Sequence, residues 1–134
     1  MKVRVQLVIS LVVTALFAGC SGSSSTAPTT RDLSGKWVGT IIEQAGQGTI
    51  QANIAQSGSA LAGTWQTTSA GGTNSGSLIG SVNNANVVAT LNPSVPTQCP
   101  FNVVATVNGN VISGTYAAFN CTVASSGTIS ITKQ

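Results

Sequence analysis

The chain has 134 residues, 42% of them hydrophobic and only 5% charged, with no histidine, fifteen glycines and three cysteines. That length holds one domain plus short appendages. The few cations are not clustered, which excludes a nucleic-acid interface built on grouped Lys and Arg, and the hydrophobic content excludes a wholly disordered chain.

The first element is a leader over residues 1–19. Lys2 and Arg4 form a positive start, and Val5 to Phe17 form an apolar run. The run is too short for a membrane span of about 20 residues and has the layout of an export signal. It ends in Leu16-Phe17-Ala18-Gly19-Cys20. Small residues before a cysteine resemble the lipobox of bacterial lipoproteins, although that family prefers Leu where Phe17 stands. The resemblance implies cleavage before Cys20 and a lipid on its sulfur and amine. The chain would then reach the membrane through this N-terminal anchor. Ser21 in place of Asp implies sorting to the outer membrane. Residues 20–31 follow as a Ser/Thr-rich stretch without hydrophobic period, read as a flexible tether. Chain-like scaling lets it hold the next domain roughly 15–20 Å from the bilayer. Removing the leader also removes two cations, leaving Arg31, Lys36 and Lys133 against Asp32 and Glu43.

From residue 32 to 134 the pattern is alternation and β-branched runs, with no sustained helical period. Strands are predicted near 35–43, 48–57, 60–68, 76–82, 86–92, 99–107, 111–119 and 126–132. Turn formers separate them, among them Ser57-Gly58, Asn83-Asn84 and Asn108-Gly109. A repeat runs through this region. Gly58-Ser59-Ala60-Leu61-Ala62-Gly63-Thr64-Trp65 matches Gly109-Asn110-Val111-Ile112-Ser113-Gly114-Thr115-Tyr116, and Asn84 to Leu91 follows loosely. Each copy is a hairpin turn feeding a strand. Leu61, Gly63 and Trp65 share one face, as do Ile112, Gly114 and Tyr116. Glycine beside a large ring permits close packing in a tightly curved sheet. The predicted fold is therefore all-β: an eight-stranded antiparallel up-and-down barrel, whose closure removes its edges, with a β-sandwich as the alternative.

With Cys20 lipidated, Cys99 and Cys121 remain as an even pair in an oxidising compartment, and a disulfide is expected. They stand nearly symmetric about Gly109, opposite one another near the open end of a hairpin. Closing that loop stabilises by roughly 3 kcal/mol. Two cysteines without histidine argue against a metal or redox site.

Leu33-Ser34-Gly35-Lys36-Trp37, followed by a Gly-Thr-aromatic strand after a hairpin, resembles the first strands of the calycin barrels, lipocalins and avidins above all. The resemblance implies a small barrel with a cavity at one end. It does not carry biotin binding. Gly39 stands where the avidin family has Asn, Glu43 falls near a position for a small hydroxyl, and Trp65 replaces a Tyr. Only Thr67 matches. Trp37, Trp65, Thr67 and Tyr116 are thus the candidate pocket or core residues.

No catalytic residue, metal site or cofactor is expected. General acid–base chemistry needs a titratable group of suitable pKa, and the domain offers only Asp32 and Glu43 as acids, with Asp32 at the tether's end. Its serines have no histidine to activate them, and Lys36 reads as a surface lysine. The expected function is a non-enzymatic envelope lipoprotein that binds a small neutral ligand. The alternative is a structural or interaction protein of the envelope, or an inhibitor of a hydrolase.

Overall fold

The computed structural model describes residues 31–134; the leader, Cys20 and most of the tether lie outside the described residues. Eight strands follow in order: β1 (Gly35–Glu43), β2 (Gly46–Ser57), β3 (Ala60–Ser69), β4 (Gly72–Asn83), β5 (Asn86–Pro93), β6 (Phe101–Asn108), β7 (Val111–Ala118) and β8 (Ser126–Lys133). Each pairs antiparallel with its sequence neighbours, and β8 returns to β1. The sheet closes into an up-and-down barrel, not a sandwich, and no edge is left to recruit another chain. One boundary departs clearly from the sequence reading. β4 begins at Gly72, four residues before the expected Gly76, because Ser69 to Thr67 of β3 pair with Gly72 to Asn74. Those positions look like a turn locally; the neighbouring strand overrides that preference.

Inside and outside alternate residue by residue. Ile50, Ala52 and Ile54 on β2, and Val103, Ala105 and Val107 on β6, are buried, while the residues between them face solvent. No polar or charged residue is buried within the barrel. The outer wall is mostly Ser, Thr, Asn and Gln, as in the exposed positions of β2 and β8. This polarity is the reverse of a membrane-spanning barrel, which turns its apolar band outward. A small exposed apolar patch interrupts it where Val88 pairs with Val104, near Ile79.

Tight curvature depends on inward-facing glycines. A Cβ on Gly63 would lie 1.9 Å from the Asn53 carbonyl oxygen, and one on Gly114 would lie 2.2 Å from that of Val104. No side chain fits there, so the repeat's glycines are where adjacent strands coil closest.

The two ends of the barrel differ. One carries the hairpin turns Gly58-Ser59, Asn84-Ala85 and Gly109-Asn110, the three copies of the sequence repeat. The first residue of each turn has positive φ: 59° at Gly58, 55° at Asn84 and 58° at Gly109. Glycine takes that conformation freely, and Asn tolerates it. The second residue of each turn offers its carbonyl to the next strand round the barrel, β4, β6 and β8 in turn. Ser59, Ala85 and Asn110 accept hydrogen bonds from Val82, Val107 and Lys133 at 2.8, 2.7 and 2.9 Å.

The segment before β1 completes this closed end. Leu33 tucks in, and its N–H donates to Gln56 Oε1 at 2.7 Å. The Trp37 indole N–H donates to the Leu33 carbonyl at 2.8 Å. Trp37 is only 1% exposed, and Lys133 Nζ lies 6.0 Å from its ring centroid. The tether's last described residues therefore join the barrel at this closed end.

Candidate functional site

The opposite end carries the two short turns at 44–45 and 70–71 and the two longest connections, 94–100 and 119–125. Cys99 and Cys121 are joined as a disulfide across those long loops, with Cα atoms 5.8 Å apart. The pairing is the expected one. It lies just beyond the last rung of the β6–β7 ladder, Phe101 opposite Ala118. Phe119 N–H also donates to the Pro100 carbonyl at 3.1 Å. The rim of this loop end is thus held by a covalent clamp and a backbone bond.

Within the rim a cavity of about 40 Å³ opens to solvent, lined by Ile41, Glu43, Trp65, Thr67, Asn74, Phe101 and Tyr116 among others. Three of the four candidate pocket residues, Trp65, Thr67 and Tyr116, come together here. Trp37 does not: it seals the far end. Trp65 is held by its indole N–H donating to the Ser77 carbonyl at 3.0 Å. The rings of Phe101 and Tyr116 meet edge-on, with centroids 5.8 Å apart. That arrangement suits the aromatic quadrupole.

Tyr116 and Glu43 are brought together by register. Gly127 pairs with Tyr116 on one side and with Glu43 on the other. All three positions share the inward parity of their strands. A Cβ on Gly127 would sit 2.7 Å from Tyr116 Oη, so the missing side chain gives the phenol its seat beside Glu43. Tyr116 is 7% exposed, and its Oη is buried beside the Glu43 carboxylate, near enough to interact with it but without a hydrogen bond of good geometry. Burial first, then the Glu43 charge and the pull of its carboxylate on the phenol O–H, push the phenol pKa well above its ordinary value. Asn74 and Gln98 form the other polar side of the mouth, with Gln98 Nε2 donating to Asn74 Oδ1. Gln98 Oε1 is also buried without a partner. Among the described residues these two orphaned side-chain atoms stand alone in that respect, and both lie at the loop end.

Two larger open clefts adjoin the cavity. One, of about 250 Å³, runs past Asn74, Gln98, Phe101 and Val123. The other, of about 520 Å³, lies between Glu43 and the 123–126 segment. Val123 stands 71% exposed between them. The described cations, Arg31, Lys36 and Lys133, all belong to the closed end, which leaves Glu43 as the charged side chain of the mouth.

Chemically, the site can accept hydrogen bonds and attract positive charge. It does not arrange two acids around one bond. Asp32 precedes β1 and Glu43 ends it, so nearly the whole strand separates them, on the order of 30 Å at the usual rise. A glycosidase-type pair needs roughly 5–10 Å. Sequence reasoning singled out Trp65, Thr67 and Tyr116 but left out Glu43, Asn74 and Gln98 as site residues. For Glu43 a signal existed: it shares the parity of Trp37 along β1 and must face inward.

No protein-family model matches this chain, and no curated protein is similar to it.

Proposed function

We propose that this chain is a non-enzymatic, lipid-anchored protein of the cell envelope, and that its barrel is an interaction module with the loop end as docking face for a protein partner. The observation that carries the reading is the contrast between a filled interior and an unfinished rim. A pocket for a small molecule encloses about 300 Å³ or more. The mouth cavity here is about 40 Å³, and the apolar void inside the barrel is about 40 Å³ as well. Partner binding is therefore favoured over the neutral small ligand expected from sequence. The partner is another envelope protein, hydrolases included. The leader over residues 1–19 and Cys20 support export and an anchor, by resemblance to lipoproteins. The tether joins the closed end, so an anchored barrel has its loop end free to turn away from the bilayer.

Site-specific photo-cross-linking in cells tests the docking face. Cross-linkers at Val123 on the rim, Val104 on the wall patch and Ser59 on the closed end should give discrete protein adducts from Val123 alone. Adducts from Val104 or Ser59 instead would overturn it. The anchor is tested by intact-protein mass spectrometry, which should show a lipid-sized increase that Cys20→Ala abolishes. An unmodified Cys20 removes the anchor from the reading.

A further inference from the structure

We infer that the mouth between Glu43 and Tyr116 is a socket for the tip of a lysine side chain presented by the protein partner. This deepens the docking reading above and rests on it. Three observations converge. The cavity holds two or three water-sized groups, the size of a terminal ammonium and its last methylenes and much less than a whole ligand. Its one charged group is the Glu43 carboxylate, which no described cation opposes, with the Tyr116 phenol beside it and Thr67 and Asn74 completing the polar lining. Its walls are apolar, from Ile41, Ile50, Leu91 and Ile129. An ammonium supplies positive charge and three donors on an alkyl stem, which suits a lone carboxylate among apolar walls.

The seat is built by the fold. Gly127 clears the space in which Tyr116 Oη approaches Glu43 across β7, β8 and β1. The rings of Trp65 and Phe101 line the same mouth, and aromatic rings favour a nearby cation.

The protein reports on this socket by itself. It has two tryptophans, of which Trp65 lines the mouth and Trp37 bonds toward the closed end, so its two indole N–H signals in a nitrogen–proton correlation spectrum tell the mouth from the closed end. Titration with n-butylammonium should shift the Trp65 indole and leave that of Trp37 in place. A tip of so few atoms binds in about the millimolar range. n-Butanol should leave both signals unmoved. Glu43→Gln should weaken the response about tenfold or more, the scale of a lost charge-assisted hydrogen bond. An unchanged Trp37 signal in that variant shows the barrel intact. A flexible peptide with a single lysine should bind more tightly than butylammonium, because it also reaches the flanking clefts. The same peptide with that lysine acetylated should not bind.

Equal shifts with butanol, or none with butylammonium, would overturn the socket. Butylammonium binding as tightly as the peptide would point to a free amine and overturn the lysine assignment. Cross-links from Val123 that persist undiminished in Glu43→Gln would overturn the socket while leaving the docking face standing.

Discussion

The closed end and the loop end of this barrel are made by the same eight strands and finished by opposite rules. At the closed end no buried side-chain polar atom among the described residues lacks a partner. Turn carbonyls accept from the next strand round the barrel, the Trp37 indole caps the Leu33 carbonyl, and Gln56 Oε1 takes the Leu33 N–H. At the loop end a disulfide fixes the rim, yet Tyr116 Oη and Gln98 Oε1 are left without partners. A buried polar atom without a hydrogen bond costs about 1–3 kcal/mol. Retaining two of them at one end is the pattern of a surface kept for a guest, since sites of function are where proteins carry features that stability alone would remove.

The contrast can be broken most forcefully at the closed end. Trp37→Ala should lose about 3–5 kcal/mol in chemical denaturation, the usual penalty for emptying a large aromatic site in a core. A loss under about 1 kcal/mol would mean that the plug is dispensable. At the loop end the largest effect belongs to the clamp. Replacing Cys99 and Cys121 together by Ala should lower stability by roughly 3 kcal/mol, through the freed loop in the unfolded chain. The Trp37 indole signal should stay where it is. Movement of that signal would show that the two ends are not independent.

A smaller effect comes from the phenol. The chain has a single tyrosine, so its ionisation is read cleanly by ultraviolet absorbance. Burial and the Glu43 charge raise its pKa in the folded state above the ordinary value near 10. The folded state then holds this proton more tightly than the unfolded one. Stability from this group is whole below about pH 10 and declines as pH rises from there through the folded-state pKa. A titration midpoint at the free-tyrosine value would place the phenol in solvent and remove it from the site.

Much of the barrel was legible in the sequence because its signals are local and periodic. The turn residues Gly58, Asn84 and Gly109 mark three hairpins, and parity along β3 and β7 places Trp65 and Tyr116 inside. Pairing across the Cys99–Cys121 hairpin followed from symmetry about its turn. The mouth was less legible. Asn74 lies in a Gly/Ser/Thr/Asn stretch that reads as a loop and becomes strand only by pairing with β3. Gln98 sits in an irregular connection, where no period tells inside from outside. The meeting of Tyr116 with Glu43 depends on barrel closure, which sets β8 between β7 and β1 and puts Gly127 between them. Trp37 and Trp65 share inward parity and flank Ala52 across β2; their side-chain partners, the Leu33 and Ser77 carbonyls, set them apart.

The central claim is that the loop end holds polar groups at the expense of stability, and Tyr116→Phe tests it most directly. The substitution keeps the ring and its edge contact with Phe101 while deleting the orphaned oxygen. Equilibrium denaturation should find the variant as stable as the parent or more stable by up to about 1 kcal/mol. A loss of about 2 kcal/mol or more would show that the hydroxyl is already bonded within the folded chain, and the loop end would then be as finished as the closed one.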